Sequence, residues 1–213
     1  MAERGLELKS LEIAHSDGKP LVAVSALVAP GDVLSIMGPS GVGKSTILAA
    51  ITGTLAPSFR FTGEILLNGR TLNELTPQKR RVGILFQDHL LFPHLSVGQN
   101  VGFGLPFGTK DRRDRVDTAL TEIGLEGFAD RDPATLSGGQ RARIALMRTL
   151  LAEPEALLLD EPFSRLDANL RARTRELVFE RATSAGLPVL LVTHDAADAE
   201  AAGGEVIELT AQN

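Results

Sequence analysis

The stretch GPSGVGKST, residues 38 to 46, ends in a lysine followed by two hydroxyl side chains. Glycine tolerates the left-handed backbone conformations that let N–H groups curl around an anion, and lysine supplies a cation for phosphate oxygens. A helix that starts directly after such a loop adds further N–H donors and the positive end of its dipole. We therefore predict a phosphate-binding loop of nine residues: Gly38, Pro39, Ser40, Gly41, Val42, Gly43, Lys44, Ser45 and Thr46.

The residues on either side of this loop support the prediction. The apolar run DVLSIM precedes it and ILAAITG follows it, which is the strand, loop and helix order that the G-x-x-x-x-G-K-[ST] pattern requires. In that context Lys44 reaches the outer phosphates of a nucleotide and Ser45 offers its hydroxyl to Mg²⁺. The alternative is a glycine-rich turn with an incidental lysine, which does not explain why pattern and context agree.

Two acidic residues, Asp160 and Glu161, follow a second apolar run in ALLLDEP. Acids at the tip of a buried strand are costly without a partner, and a Mg²⁺-bound triphosphate needs a carboxylate at such a position. We expect Asp160 to hold the metal ion and Glu161 to polarise the attacking water, because phosphoryl transfer depends on positioning and charge stabilisation. The structural alternative is an acidic cap on a helix after the strand.

A second glycine-rich helix start lies at 136 to 140, LSGGQ. Ser137 is predicted to cap a helix that begins near Gly138, and the two glycines allow the close approach of a bulky partner. Such a helix end attracts anions. Taken alone, the pattern is more typical of a cap with a tight turn than of a binding site.

The elements that position these residues alternate along the chain, which predicts an α/β fold. Consecutive Val, Ile and Leu residues in several runs are typical of a buried parallel sheet. Helical spacing indicates a mostly helical insertion over 88–152 and a further helix over 166–185. The predicted strands are LELKSLEI, LVAVSALV, DVLSIMG, EILLNG, VGILFQ, ALLLD, LPVLLVTH and EVIELT.

Length and composition set broad limits. The 213 residues suit one domain, and a formal net charge of -5 disfavours broad nucleic-acid binding. The absence of cysteine excludes disulfides and thiolate metal sites and suits a reducing compartment. The longest apolar runs are much shorter than the about 18 residues that a membrane span needs, so a membrane role would require a partner that spans.

Six motifs occur in one order, and together they resemble those of the ABC-type ATPases over essentially the whole chain. The resemblance implies a P-loop NTPase fold: a RecA-like core with a mixed β-sheet and an inserted α-helical subdomain. It also implies a single domain, 1–213, with a core of 1–87 and 153–213 and a helical subdomain of 88–152. The motifs are the phosphate loop, Gln87 after VGILF, LSGGQ, LLLDEP at 157–162, SRLD at 164–167 and His194 after LLVT.

The resemblance implies a homodimer that closes on ATP and Mg²⁺, with the LSGGQ motif of one subunit packed on the nucleotide held by the other. In that arrangement Gln87 senses the metal ion and the water, and His194 contacts the γ-phosphate and steadies Glu161. The implied catalytic residues are Glu161, His194, Lys44 and Gln87, and the implied metal-binding residues are Ser45, Gln87 and Asp160. The residues implied to contact the partner's nucleotide are Ser137, Gly138, Gly139, Gln140 and Asp167.

Two positions depart from the family pattern. An aromatic residue that stacks on adenine is normal some 23 residues before the loop, and that position holds His15 in a chain without Tyr or Trp. His15 either stacks through its imidazole or is an ordinary loop histidine. Arg165 replaces a small residue in SRLD, and it either contacts the opposite subunit or points to solvent.

The segment QDHLLFPHLSVGQNVGFGL, 87–105, resembles the importer version of this family, closest in pattern to the YnjD-type subunits. Its apolar residues form either a groove for a helix of a membrane permease subunit or the core of the helical insertion; the candidates are Leu90, Leu91, Phe92 and Leu95. The chain ends at Asn213 without the C-terminal barrel of sugar-importer ATPases, so regulation by that route is not expected.

The resemblance therefore predicts an ATPase subunit on the cytoplasmic side of the bacterial inner membrane, which works with a permease and indirectly with a substrate-binding protein. Two alternatives remain open at this point. One is a soluble ABC ATPase that acts on nucleic acid or ribosomes. The other is a module that closes on ATP but hydrolyses it weakly.

Overall fold

The computed structural model describes residues 4–210, which contain nine strands in two sheets. Strands β2, β1, β4 and β5 form an antiparallel sheet in that spatial order, and β6, β7, β8, β3 and β9 form a parallel one. The strands are β1 (Leu6–His15), β2 (Pro20–Val28), β3 (Val33–Met37), β4 (Phe59–Leu67), β5 (Arg70–Thr71), β6 (Val82–Phe86), β7 (Ala156–Asp160), β8 (Val189–Thr193) and β9 (Glu205–Glu208).

Seven α-helices connect these strands within the described part of the chain. Three of them lie between β6 and β7, where the helical insertion was predicted. The helices are α1 (Lys44–Thr52), α2 (Pro77–Arg80), α3 (Val97–Gly102), α4 (Arg112–Glu122), α5 (Gly138–Leu150), α6 (Ala168–Ser184) and α7 (Ala196–Ala202).

The parallel sheet is covered on both faces, which explains its continuous apolar runs. In β7, Leu158 packs into a cluster with α1 and the antiparallel sheet, whereas Leu157 and Leu159 pack into a second cluster with α5 and α6. Because successive side chains of a strand point to opposite faces, a strand covered on both sides needs apolar residues at every position. This sheet is the predicted buried parallel sheet.

The antiparallel sheet carries the remaining strand content. In β2, Val22 and Val24 are buried while Ala23 and Ser25 are exposed, the alternation expected when one face of a sheet is solvated. The resemblance implied a mixed β-sheet, and in the structure the parallel and the antiparallel strands lie in two separate sheets. β4 begins at Phe59, five residues before the predicted run EILLNG, and the two-residue strand β5 was not predicted.

The helices α3, α4 and α5 share a third apolar cluster, which includes Val101 of α3, Leu120 of α4 and Ile144 of α5. This cluster gives the segment between β6 and β7 a core of its own. The subdomain boundaries at 88 and 152 stay a prediction.

The parallel register brings four candidate segments to one edge of the sheet. Phe86 pairs with Asp160, Asp160 pairs with Val192, and Met37 pairs with Thr193. The residues that follow these strands therefore emerge side by side at the carboxyl ends, where open α/β sheets bind ligands.

Candidate functional site

The loop between β3 and α1 has the backbone conformation predicted for it. Gly38, Gly41 and Gly43 have φ angles of 151°, 82° and 104°, which L-residues with a side chain rarely adopt. A Cβ on Gly38 would lie 2.6 Å from the carbonyl oxygen of Leu209, and one on Gly43 would lie 2.9 Å from Cγ1 of Val22. A Cβ on Gly41 would meet nothing within 4 Å, so glycine is needed there for its φ angle.

Lys44 places its ammonium group against this loop. Its side chain is buried, and Nζ donates to the carbonyl oxygens of Gly38 at 2.7 Å and Pro39 at 3.0 Å. Because these partners are neutral, a buried cation here would be stabilised further by an anion. The predicted role of Lys44 toward the phosphates of a nucleotide stays a prediction.

Ser45 and Asp160 meet although 115 positions separate them in the sequence. Ser45 Oγ donates a hydrogen bond of 3.1 Å to Oδ1 of Asp160, which joins the start of α1 to the end of β7. Burial raises the pKa of Asp160, and the neighbouring charge of Glu161 raises it further. The hydrogen bond from Ser45 and the charge of Lys44 lower the pKa, but the effect of burial is larger. A carboxylate that is poorly stabilised in this way suits a cation.

A hydroxyl and a carboxylate are oxygen ligands of the kind that Mg²⁺ prefers. Residues 4–210 contain no group of three or more His, Cys, Asp or Glu residues that could hold a metal ion. A magnesium ion beside Ser45 and Asp160 would leave further ligand positions for phosphate and water, as it commonly does in nucleotide sites.

Glu161 and His194 form a second polar pair at the same edge. His194 Nδ1 lies 3.1 Å from Oε2 of Glu161, and the exposed fractions of the two side chains are 57% and 22%. The imidazole is thus open to a ligand while the carboxylate is sheltered beside it.

The backbone of Glu161 is strained, with a φ angle of 46°. Such a conformation costs on the order of 1–3 kcal/mol in a residue other than glycine and persists only where the surroundings impose it. The Glu161 N–H donates to the carbonyl oxygen of Val192 at 2.9 Å, and Ser164 Oγ donates to the carbonyl oxygen of Glu161 at 2.9 Å. These contacts hold the strained residue in place.

Gln87 follows β6 at this edge and is partly buried. It lines a cavity of about 440 Å³ whose wall also contains His89, Gly138, Arg141 and Arg165. The cavity connects the segment after Gln87 with the start of α5. The predicted roles of Gln87 toward metal ion and water stay predictions.

Ser137 caps α5 as predicted. Its Oγ accepts a hydrogen bond from the Gln140 N–H at 3.3 Å, and Gln140 Oε1 accepts one from the Ser137 N–H at 2.9 Å. This reciprocal capping box satisfies two backbone donors within the chain. The Gln140 side chain is therefore engaged in its own helix start.

The glycines of LSGGQ have a structural role that the sequence interpretation missed. A Cβ on Gly139 would lie 2.5 Å from Cδ1 of Leu170, and one on Gly138 would lie 3.4 Å from Cδ2 of Leu166. The close partner of Gly139 is thus α6 of the same chain. Their predicted contact with a partner's nucleotide stays a prediction.

The SRLD segment is tied to its own chain at two points. Asp167 is exposed and caps α6, with Oδ1 accepting from the Leu170 N–H at 3.1 Å. Arg165 forms an ion pair through Nη1 with Oδ1 of Asp88. Within one chain Arg165 therefore contacts Asp88, whereas the sequence suggested only solvent or the opposite subunit.

His15 lies beside the phosphate loop. It lines a cavity of about 230 Å³ together with Pro39, Ser40 and Gly41 of the loop. Its ring centroid lies 5.0 Å from that of Phe59 at an interplanar angle of 42°. Phe59, which the sequence interpretation did not single out, thus supports the imidazole.

The four apolar candidates for the permease groove have different surroundings. Leu91 packs against the second and third apolar clusters, whereas Leu90 is exposed with a φ angle of 43°. Leu95 lines a small cavity with Pro93 and His94. Leu91 therefore contributes to the core around the helical insertion, and contact of this segment with a permease subunit stays a prediction.

Phe92 lines a larger groove of about 400 Å³ between β6 and the helical segment, and its wall also contains Ile84, Phe103, Arg148 and Pro154. Phe103 is 62% exposed, and its ring centroid lies 4.6 Å from that of Phe92. The Arg148 guanidinium lies 5.1 Å from the Phe92 ring centroid and donates to the carbonyl oxygen of Leu90 at 3.0 Å. Phe103 lies within the predicted segment 88–105 but was not among its four named candidates.

The strand β3, the glycine-rich loop and the start of α1, arranged in this way, define a nucleotide-binding fold of the P-loop class. Residues 21–164 match the family model described as ABC transporter, and the chain belongs to this family. The predicted α/β P-loop fold and the predicted ATP-hydrolysing activity, coupled to transport, are thereby confirmed.

Several curated relatives are similar over most of the chain. An uncharacterized ABC transporter ATP-binding protein of Escherichia coli K12, YnjD, is 49% identical over 91% of this chain and 90% of its own length. The thiamine import ATP-binding protein ThiQ of Vibrio vulnificus is 44% identical over 88% and 79% of the two chains. The predicted importer-type ATP-binding subunit is the class that these relatives support.

Another relative is longer. The spermidine/putrescine import ATP-binding protein PotA of Oleidesulfovibrio alaskensis is 39% identical over 97% of this chain, which spans only 56% of PotA. Among solved structures, cbiO1 of Clostridium perfringens, described as part of the ABC transporter complex cbiONQ, matches with a TM-score of 0.84. That match has 32% identity and covers 97% of this chain and 85% of cbiO1.

From residue 4 to residue 210, no helix is both long and apolar enough to cross a membrane.

Proposed function

We propose that this ATPase works as a homodimer in which each phosphate loop and the LSGGQ segment of the other subunit enclose one ATP and one Mg²⁺. The observation that carries this proposal concerns two cavities. The cavity beside the loop and the cavity beside Gly138 share no lining residue within the described chain. A nucleotide on the loop would thus leave the N-terminus of α5 free to contact another subunit's phosphates.

Within one subunit, the binding roles follow from the contacts at the sheet edge. The loop N–H groups and Lys44 bind the phosphates, and Ser45 and Asp160 hold the magnesium ion together with Gln87. When bound, that ion neutralises phosphate charge. His15, supported by Phe59, offers a ring face to adenine.

Glu161 acts on the water that attacks the γ-phosphate. Its carboxylate is sheltered from solvent, and Oε2 lies 3.1 Å from His194 Nδ1, within ion-pair distance. The lone pairs of the carboxylate are available to orient and polarise a water molecule. His194, which is exposed, both fixes the carboxylate and contacts the γ-phosphate.

Closure of the dimer on ATP would bring the helical segments of the two subunits together. Hydrolysis would let the segments separate again, because the negative charge that attracts the N-terminus of α5 is lost with the γ-phosphate. The groove lined by Phe92 and Phe103 of the segment 88–105 is suited to an apolar helix of a permease subunit. The chain would then lie at the cytoplasmic face of a bacterial inner membrane, and a separate substrate-binding protein would deliver the cargo.

A size-exclusion experiment tests the shared site without requiring turnover. Glu161→Gln keeps the shape of the side chain but removes its charge, so this variant should bind ATP, fail to hydrolyse it and elute as a dimer in Mg²⁺-ATP. Addition of Ser137→Arg to Glu161→Gln should return the protein to the monomer. Addition of Glu126→Arg, at an exposed position of the helical segment, provides the matched control and should leave the dimer intact.

A monomer in the Glu161→Gln variant with bound ATP would contradict the proposal. A dimer that survives Ser137→Arg would remove LSGGQ from the interface. Wild-type hydrolysis by a chain held as a monomer would favour a nucleotide site complete in one subunit.

A further inference from the structure

The guanidinium group of Arg171, near the start of α6, has three partners. Nε donates to the carbonyl oxygen of Phe163 at 3.0 Å, Nη2 donates to the carbonyl oxygen of Ser164 at 3.3 Å, and Nη1 forms an ion pair with Oδ2 of Asp195. The planar fork of arginine suits several acceptors at fixed angles. All of its nitrogens are therefore engaged within the chain.

These partners belong to two loops that carry proposed catalytic residues. Phe163 and Ser164 follow Glu161 by two and three residues, and Asp195 follows His194 directly. Ser164 is itself bonded to the carbonyl oxygen of Glu161 at 2.9 Å. Arg171 thus joins the loop after β7 to the loop after β8.

Asp195 is a firm anchor for this connection. Its Oδ1 accepts from the Ala197 N–H at 2.9 Å, and its own N–H donates to Thr193 Oγ1 at 3.0 Å. One carboxylate oxygen therefore fixes the start of α7 while the other pairs with Arg171. A shift of Arg171 would be transmitted to the residue next to His194.

The ion pair between Arg171 and Asp195 is partly shielded from solvent. The side chains of Arg171 and Asp195 are 23% and 30% exposed, so water screens them less than an ion pair on the open surface. Charge-assisted hydrogen bonds in such a setting are stronger than neutral ones.

We propose that Arg171 is a positioning residue that holds the loops after β7 and β8 in a fixed relative position, so that the Glu161 carboxylate and the His194 imidazole stay 3.1 Å apart. This inference rests on the proposed function, which assigns catalysis to Glu161 and His194. Arg171 itself touches neither of them, and its effect passes through Asp195 and Ser164.

Arg175, one turn further along α6, is a matched control. It pairs with Asp198 at 3.0 Å and donates to the Ala197 carbonyl oxygen at 2.8 Å, so it also links α6 to α7. Its contacts do not include the loop after Glu161. Arg171→Lys and Arg175→Lys both keep the charge and remove the fork, which isolates the connection between the loops.

The first readout is the NMR signal of the His194 imidazole, which needs no turnover. The chain has four histidines, and His194→Gln assigns the signal. In Glu161→Gln the signal moves because its partner is changed. Arg171→Lys should shift it in the same direction, while Arg175→Lys should leave it at the wild-type position. Equal behaviour of the two lysine variants would overturn the inference.

The second readout is steady-state hydrolysis, with the thermal midpoint measured in parallel. Because misplaced catalytic groups lower the rate more than binding, Arg171→Lys should reduce kcat by about tenfold or more while KM for ATP changes by less than about threefold. Asp195→Asn keeps the cap on α7 and should have the same effect, and the double variant should lose little more than either single one. Losses that merely follow the thermal midpoint would contradict a positioning role.

Two reference variants separate this inference from the proposed function. Glu161→Gln and His194→Ala must lower turnover strongly if the catalytic assignment is correct. If both retain wild-type turnover, the assignment fails. If both lose turnover but Arg171→Lys behaves as Arg175→Lys does, only the role of Arg171 is wrong.

Discussion

Gly139 of the LSGGQ segment packs against Leu170 of the same chain, so closely that a Cβ would lie 2.5 Å from the leucine Cδ1. This contact joins the start of α5 to the start of α6. The glycine is therefore required by the fold of one subunit, independently of any contact with a nucleotide.

We expect Gly139→Ala to destabilise the isolated chain without ATP. Overpacking a buried contact costs about 1–3 kcal/mol, which lowers the melting temperature by roughly 2–4 °C per kcal/mol in a protein of this size. Gly138→Ala, where the added Cβ would meet Leu166 at an ordinary 3.4 Å, is the control and should change the midpoint less. Calorimetry of both variants without nucleotide checks this, and a wild-type midpoint in Gly139→Ala would show that α5 and α6 adjust freely.

The comparison of Ser96 with Ser137 illustrates what the sequence could predict. Ser137 and Gln140 form a capping box that was partly anticipated, since Ser137 was predicted to cap α5. Ser96 and Gln99 form the same box at the start of α3, which lies within the predicted helical insertion but was not predicted as a separate helix. Because the S-x-x-Q spacing occurs at both positions, the start of α3 is as predictable from the sequence as the start of α5.

Other features depend on contacts between distant parts of the chain. The β7 and β8 strands were predicted because burial on both faces requires apolar residues throughout. No local pattern, however, reveals that Phe59 supports His15 or that Arg171 reaches Asp195. Such pairs arise only when the sheet order is known, so the loop and the acids were predictable while their supporting residues were not.

The Arg165–Asp88 ion pair leads to a second prediction. Both side chains are more than half exposed, and exposed pairs contribute about 0–1 kcal/mol. Arg165→Ala should therefore leave the melting temperature almost unchanged and, if the arginine acts only within its chain, should leave turnover within about threefold of wild type. Arg173→Ala, at an exposed position of α6, is the control. A large loss of ATP-dependent dimer in Arg165→Ala alone would instead place Arg165 at the subunit interface.

The raised pKa of Asp160 predicts opposite effects on stability and on activity. Burial makes the charged carboxylate unfavourable, so the folded protein binds a proton more tightly than the unfolded chain does, and stability falls as pH rises through the two pKa values. At pH 7.5, Asp160→Asn should consequently melt at an equal or higher temperature in the absence of Mg²⁺. Differential scanning calorimetry checks this part of the prediction.

The same substitution should abolish Mg²⁺-dependent hydrolysis. Loss of a metal ligand removes several kcal/mol of transition-state stabilisation, which corresponds to about 100-fold or more in turnover. In the wild type, Mg²⁺ affinity should weaken as the pH falls, because protons compete with the metal ion for the Asp160 carboxylate. Since the pKa of Asp160 is raised, this weakening should begin at a higher pH than for a carboxyl group with the ordinary pKa of about 3.9. Titration of Mg²⁺ at several pH values tests the sign, and a metal affinity independent of both pH and Asp160→Asn would be inconsistent with this site.

The groove at Phe92 provides the last prediction, which concerns coupling to the membrane subunits. Phe103 is 62% exposed, and its ring centroid lies 4.6 Å from that of Phe92 in a tilted arrangement, whereas Phe107 is fully exposed and lies four residues further on. Truncation of an aromatic residue in the centre of an interface commonly costs about 2 kcal/mol or more, and a rim residue contributes little. Phe103→Ser should therefore raise the Kd for the permease subunits of the transporter by at least about 30-fold, which would be seen as reduced co-purification. Phe107→Ser, which removes an equally large exposed ring, should not do so if this groove is the docking site. Both variants should keep the ATP affinity of the isolated chain, because neither residue lies on the phosphate loop or the sheet edge. Equal loss of permease binding in the two variants would contradict docking in this groove.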